Sequence, residues 1–164
     1  MSYLTQKTIK KIVTFNGIGL HSGVNVNVTI KPAYPNEGIV FKRIDLKSNN
    51  LVYPNFLNVT NTSLNTTVEN EYGTKVSTIE HLMGALFGLG IDNAIIEIDN
   101  EEVPILDGSA KEFIKKIILS GFEISETPIK IIKINRKIEF IDNERVIAIS
   151  PSKLSLNIDF ALKV

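Results

Sequence analysis

The sequence predicts a mixed fold of strands and helices, because strand patterns and helix patterns occupy different stretches of the chain. Up to about residue 76 the pattern is one of strands and turns, and helical patterns follow over residues 77–90 and 109–121. Strand-like runs return after residue 128.

The composition is that of a globular chain. Of 164 residues, 43% are hydrophobic and 22% are charged, which is typical of a folded protein. The formal net charge of +0 gives no broad attraction to nucleic acid, so we expect no nucleic-acid partner. Without cysteine, neither a disulfide nor a thiolate metal site can form. No apolar run approaches the roughly 20 residues of a membrane span, so we expect a cytoplasmic protein without a transmembrane segment.

Several strands are predicted before and between the helices. Residues 24–30 alternate between Val or Ile and polar residues, which is the period of a half-buried strand. Turn formers fill residues 31–38, and residues 39–41 resume a strand. The Asn- and Thr-rich residues 58–70 predict a loop with short strands. The apolar run over residues 94–98 predicts a central strand.

Two helices are predicted from apolar residues spaced three and four positions apart. The first covers residues 77–90 and is ended by glycines. Its apolar positions are Ile79, Leu82, Met83 and Leu86. The second helix has Ser109 as its predicted N-cap, Glu112 at the capping-box position and Gly121 at its end.

Residues 121–128 are predicted to form a linker, which divides the chain into two predicted domains. We assign residues 1–126 to a first α+β domain and residues 127–164 to the start of a second one. The second part contains strand-like runs at residues 129–134, 146–149 and 154–164. The last run still alternates at residue 164, so we expect the second domain to be incomplete in this chain.

Glu80 and His81 form the most informative pair in the sequence. Ser77-x-x-Glu80 has the spacing of a capping box, in which case His81 is a surface histidine. On a helical wheel, however, His81 lies opposite the apolar stripe and beside Gly84 and Gly88. A face of small residues around one His suggests close approach of another element or of a substrate.

The chain offers few candidate metal ligands. The zinc motif His-Glu-x-x-His does not occur, and there are two histidines and no cysteine. A catalytic zinc usually takes three protein ligands. A full site therefore requires carboxylates or residues that the chain lacks. The second histidine, His21, lies in Gly-Ile-Gly-Leu-His-Ser-Gly, which is either a tight loop at a ligand or a hairpin turn.

In their order, these motifs resemble the UDP-3-O-acyl-N-acetylglucosamine deacetylase family. The matching stretches include residues 17–23, 61–66, 76–93 and 104–110. The resemblance implies two similar α+β domains, each a two-layer arrangement of sheet and helices, with the active site between them. This chain is similar to the N-terminal half only, so the resemblance implies a missing second domain.

The resemblance also implies a reaction and a set of residues. The reaction is zinc-dependent hydrolysis of the N-acetyl group of UDP-3-O-acyl-N-acetylglucosamine in lipid A biosynthesis. By the motif match, His81 is a zinc ligand and Glu80 the general base, while His21, Leu64 and Asn65 contact substrate. The remaining zinc ligands are expected in the missing C-terminal part, so this chain alone is expected to be inactive. The alternative is a non-catalytic module that binds a UDP-sugar or a partner protein.

Overall fold

A computed structural model describes residues 4–152, 158–159 and 161 of the chain. The chain divides into two compact units, Met1–Ile129 and Lys130–Val164. In the described residues, no helix is long and apolar enough to cross a membrane.

The described part of the first unit is an α+β domain with ten strands, two α-helices and one short 3-10 helix. In chain order these are β1 (Thr5–Ile9), β2 (Val13–Ile18), β3 (Asn25–Pro32), β4 (Ile39–Arg43), β5 (Leu51–Val52), the 3-10 helix (Phe56–Asn58), β6 (Val59–Asn61), β7 (Thr67–Glu69), β8 (Lys75–Val76), α1 (Glu80–Leu89), β9 (Ala94–Ile98), α2 (Lys111–Ser120) and β10 (Phe122–Pro128).

The main sheet has five strands in the order β2-β3-β9-β4-β5. β9 lies between β3, to which it is antiparallel, and β4, to which it is parallel. The central strand predicted from its apolar run is therefore confirmed. β6, β7 and β8 form a second sheet, and β1 pairs with β10 in a third.

One face of the main sheet and the two helices enclose a single hydrophobic core. β3 buries alternate side chains, as its sequence predicts, because successive side chains of a strand point to opposite faces. The rings of Phe15 on β2 and Phe113 on α2 pack with centroids 4.9 Å apart. The largest fully buried side chains are Phe41, Phe113, Ile9, Ile30, Leu82, Leu86, Ile96, Ile98, Ile117, Val26, Val28 and Val52.

The predicted first helix is present, but it starts later than its sequence pattern. α1 begins at Glu80 and ends where Gly90 adopts φ 67, the left-handed conformation that closes many helices. Its N-cap residue, Ile79, is helical in conformation and makes no side-chain capping bond.

Of the two alternatives for Glu80, the capping box with Ser77 is wrong. Thr78, between them, adopts φ 55 and turns the chain, so that Ser77 bonds to the Glu101 carbonyl through its backbone N–H at 2.9 Å. The Glu80 carboxylate accepts a hydrogen bond from the Thr66 N–H at 3.2 Å instead. The carboxylate of Glu80 is thus directed to a neighbouring loop and not to the end of its own helix.

The predicted cap of the second helix is also corrected. Ala110, not Ser109, is the N-cap residue of α2, although the Ser109 hydroxyl accepts a bond from the Lys111 N–H at 3.1 Å. Glu112 pairs with Lys115 at 2.6 Å, one turn along the helix, so it does not close a capping box.

The linker predicted over residues 121–128 is wrong, because those residues form β10. β10 pairs antiparallel with β1, and Thr5 lies opposite Pro128. The predicted domain boundary after residue 126 thus falls inside a strand. Its pairing partner is near the start of the chain, so the pattern of residues 121–128 alone does not reveal it.

The second unit contains one hairpin in its described residues, β11 (Ile138–Asp142) and β12 (Arg145–Ile149). β12 confirms the strand predicted at residues 146–149, whereas β11 was not predicted. Residues 129–134 do not form the predicted strand. Among them, the Ile129 N–H donates a backbone hydrogen bond to the Leu4 carbonyl at 3.0 Å. The run predicted at residues 154–164 lies mostly outside the described residues.

Candidate functional site

The segment that follows β9 joins two loops that carry predicted site residues. On one side, the Val103 N–H donates to the Ser77 carbonyl at 3.0 Å, just before α1. On the other side, the Ile105 N–H donates to the Ile18 carbonyl at 3.0 Å, at the end of β2. The His21 loop begins after Ile18. The segment therefore lies between the His21 loop and the residues that lead into α1.

Glu102 is the buried acidic group at the centre of this arrangement. Only 3% of its surface is exposed. Its carboxylate accepts hydrogen bonds from the backbone N–H groups of His21 at 3.0 Å and Ser22 at 2.7 Å, and from the Thr78 hydroxyl at 2.9 Å. Burial on its own raises the pKa of the Glu102 carboxyl, but bonds from Ser22, His21 and Thr78 outweigh it and hold the pKa below its usual value.

Gly19 lets the His21 loop approach this carboxylate closely. A methyl group at Gly19 would collide with the Ser22 hydroxyl and with the Glu102 carboxylate. Glycine is therefore required at this position for steric reasons, because the loop packs closely on Glu102. The motif forms the loop between the antiparallel strands β2 and β3, in which Ile18 lies opposite Asn25, so the hairpin-turn interpretation is confirmed.

Thr78 connects Glu102 to the loop that carries Leu64 and Asn65. The Asn65 side-chain amide donates to the Thr78 hydroxyl at 3.4 Å, and the Asn65 carbonyl oxygen accepts from the Thr67 hydroxyl at 3.1 Å. Thr78 and Leu64 both adopt positive φ, 55 and 67 respectively. Such values are rare for bulky or β-branched residues and concentrate at functional sites.

Glu80 and His81 are the first two residues of α1. The Thr66 N–H, adjacent to Asn65, holds Oε2 of Glu80 at 3.2 Å. His81 is half-buried. The neighbouring Gly84 and Gly88 are exposed, and a side chain at either would meet no atom within 4 Å. In the first unit, therefore, the His81 face of α1 is open, contrary to the expectation of a helix closely approached on both sides.

The structure thus links two of the predicted site loops to each other and to the start of α1. Glu102 and Thr78 join the backbone of His21 to the side chain of Asn65, and Thr66 joins the same loop to Glu80. The His21 side chain is exposed, as is Leu64, with 88% of its surface accessible. A glutamate and the adjacent histidine at the start of a helix can provide a base and one metal ligand.

Among the described residues, no three His, Cys, Asp or Glu side chains lie close enough together to hold a metal ion. His81 could therefore contribute one ligand to a site that needs others.

Glu102 was not recognised from the sequence. It lies in Asn-Glu-Glu-Val-Pro at residues 100–104, where a pair of acids ordinarily indicates a solvated turn. Its position directly before the buried residues Val103 and Pro104 is the one signal that could have indicated burial.

Comparison with known proteins agrees with the resemblance inferred from the motifs. A family model described as UDP-3-O-acyl N-acetylglycosamine deacetylase matches residues 6–164. The chain is 42% identical, over 159 residues, to a UDP-3-O-acyl-N-acetylglucosamine deacetylase of Citrifermentans bemidjiense. That match covers 95% of this chain and 52% of the relative, so the chain spans about half the length of that curated protein.

Proposed function

Because the chain belongs to the UDP-3-O-acyl N-acetylglycosamine deacetylase family, we propose that it provides part of the active site of a zinc-dependent deacetylase. The substrate is UDP-3-O-acyl-N-acetylglucosamine, and the reaction serves lipid A biosynthesis. The observation that carries the proposal is the Glu80-His81 pair at the start of α1, in which the Thr66 N–H ties Glu80 to the Asn65 loop and His81 lies on an open helix face.

Glu80 acts as the general base in this proposal. The Thr66 N–H engages Oε2, and among the hydrogen bonds of the described residues none engages Oε1. One carboxylate oxygen is thus fixed and the other can take a proton from the attacking water. Protonated Glu80 can then deliver that proton to the departing amine, so that the amide bond breaks to acetate and a free amine.

His81 acts as a zinc ligand. Its imidazole suits zinc chemically, and its half-buried position beside Gly84 and Gly88 leaves room for a metal and a substrate. When bound, zinc lowers the pKa of water toward roughly 7 and polarises the amide carbonyl. At least one further ligand comes from outside the described residues, because those residues contain no group of three ligands.

His21, Leu64 and Asn65 contact the substrate. His21 and Leu64 are exposed on loops held by Glu102 and Thr78, so their side chains are available while their backbones are fixed. Leu64 offers an apolar contact and His21 a polar one, which suits a substrate with an acyl chain and a sugar. A fixed backbone lowers the entropy lost when substrate binds.

Acetate release tests the proposal. A protein that contains this chain and spans the full length of its relatives is incubated with zinc and UDP-3-O-acyl-N-acetylglucosamine, and acetate is followed by proton NMR. We expect acetate and free amine in equal amounts, and no acetate from this chain alone. Binding of the UDP-sugar without acetate from the longer protein would support the alternative, a non-catalytic UDP-sugar or partner-binding module.

A further inference from the structure

We propose that Glu102 is a positioning residue for the deacetylation reaction. Its carboxylate ties the His21 loop to Thr78, and through Thr78 it fixes the backbone that presents Glu80 and His81 at the start of α1. The inference rests on the proposed deacetylase function for its kinetic consequences, but its structural part can be tested without any activity.

The contacts of Glu102 reach both sides of the site. Oε2 accepts from the Ser22 N–H at 2.7 Å, and Oε1 accepts from the His21 N–H at 3.0 Å and from the Thr78 hydroxyl at 2.9 Å. His21 and Thr78 are 57 positions apart in the sequence. One buried carboxylate therefore sets the spacing of two loops that have no sequence proximity.

Through its contact with Thr78, Glu102 affects the position of Glu80 and His81. Thr78 has φ 55, which is strained for a β-branched residue, and only 2% of its surface is exposed. A strained conformation persists only where the surroundings hold it. The bond to Glu102 holds the side chain of Thr78, and the bonds of Ser77 to Glu101 and Val103 hold the preceding backbone. Glu80 follows two residues later.

The arrangement requires a carboxylate and not merely a polar side chain. All three partners of Glu102 act as donors toward it. A glutamine of the same shape would accept through one oxygen and place an NH2 group against the remaining donors. Glu102→Gln should therefore loosen the His21 and Thr78 loops without removing side-chain volume, so it tests the need for a carboxylate separately from packing.

A loss of general stability must be separated from a loss of positioning. Asn93 is a suitable control, since it is also 3% exposed and bonds to Gly38 and Gln6, in other parts of the fold. Asn93→Ala should lower stability without moving Glu80. Two substitutions of Thr78 provide a second, matched comparison. Thr78→Val keeps the branched shape and removes the hydroxyl, whereas Thr78→Ser keeps the hydroxyl.

The first measurement uses this chain and requires no substrate. Amide NMR spectra are recorded for wild type, Glu102→Gln, Thr78→Val, Thr78→Ser and Asn93→Ala. We expect Glu102→Gln and Thr78→Val to shift the Glu80 and His81 amide signals, and Thr78→Ser and Asn93→Ala to leave them in place. Unchanged Glu80 and His81 signals in Thr78→Val would overturn the proposal, even if Glu102→Gln does not fold.

The second measurement uses the longer, zinc-loaded protein and separates kcat from KM. We expect kcat to fall roughly 10- to 100-fold in Glu102→Gln and Thr78→Val with KM within about threefold, because a small misplacement of reacting groups costs about this much. Thr78→Ser should restore kcat to within about threefold of wild type. Equal kcat in Thr78→Val and Thr78→Ser would overturn the proposal. If the wild type itself releases no acetate, the deacetylase assignment fails, and the NMR result still decides the role of Glu102.

Discussion

The Thr78 hydroxyl donates to the Glu102 carboxylate at 2.9 Å in the buried interior of the first unit. The Glu102 carboxylate also accepts hydrogen bonds from the backbone N–H groups of His21 and Ser22. A carboxylate with three donors is most stable when ionised. The two loops around the candidate site are thus held by a single charged group.

Acid should weaken the fold through Glu102. Its folded pKa lies below the ordinary value of 4.5, so its bonds contribute stability above about pH 4.5 that is lost as pH falls through the folded pKa. Urea unfolding at pH 6 and pH 3.5 should therefore show a larger loss for wild type than for Glu102→Gln. An equal loss in both would mean that Glu102 does not carry this pH dependence.

Gly19→Ala should destabilise the first unit. The added methyl group collides with Ser22 and Glu102, and overpacking of this kind costs roughly 1–3 kcal/mol. Gly23→Ala is a nearby comparison in which the added group meets no atom, although its φ of 67 adds backbone strain. Chemical unfolding measures both. If Gly19→Ala is as stable as wild type, the loop does not pack on Glu102 as described.

Gly84→Ala should raise stability and lower turnover. The position is inside α1 with no atom within 4 Å of an added methyl group, so the change should stabilise the helix by up to about 1 kcal/mol. The same methyl group narrows the open face beside His81, where we place the substrate. Unfolding and acetate release are measured together on the longer protein. Unchanged turnover would show that substrate does not approach this face.

The chain 1–129 should fold, whereas the chain 1–121 should be much less stable. The longer form keeps β10 and its pairing with β1, including the bond from the Gln6 side chain to the Pro128 carbonyl at 3.0 Å. The shorter form leaves β1 as an unpaired edge, which invites association between chains. Circular dichroism melting and light scattering distinguish the two. Similar melting of both forms would show that β10 is dispensable.

The sequence predicted the regular elements well because their signals are local. The alternation of β3, the apolar run of β9 and the spacing of Leu82 and Leu86 in α1 each follow from burial of one face. Residues 121–128 were mistaken for a linker because the strand β10 is recognised by its distant partner β1.

The site was predicted less completely, for physical reasons of the same kind. Glu80 and His81 stand out because a helix of small and apolar residues carries them. The positive φ of Thr78, which removes the capping box, leaves no pattern in the sequence. Glu102 binds mostly to backbone N–H groups, and every residue except proline has one, so its partners cannot be read from residue types.

The replacement Glu80→Gln in the longer, zinc-loaded protein tests whether Glu80 is the general base of the reaction. Glutamine can still accept the Thr66 N–H, so zinc content and unfolding should stay near wild type. It cannot take a proton from water, so turnover should fall by roughly 10²–10⁴. We expect this large loss with folding and zinc content retained, and near-normal acetate release by Glu80→Gln would show that Glu80 is not the general base.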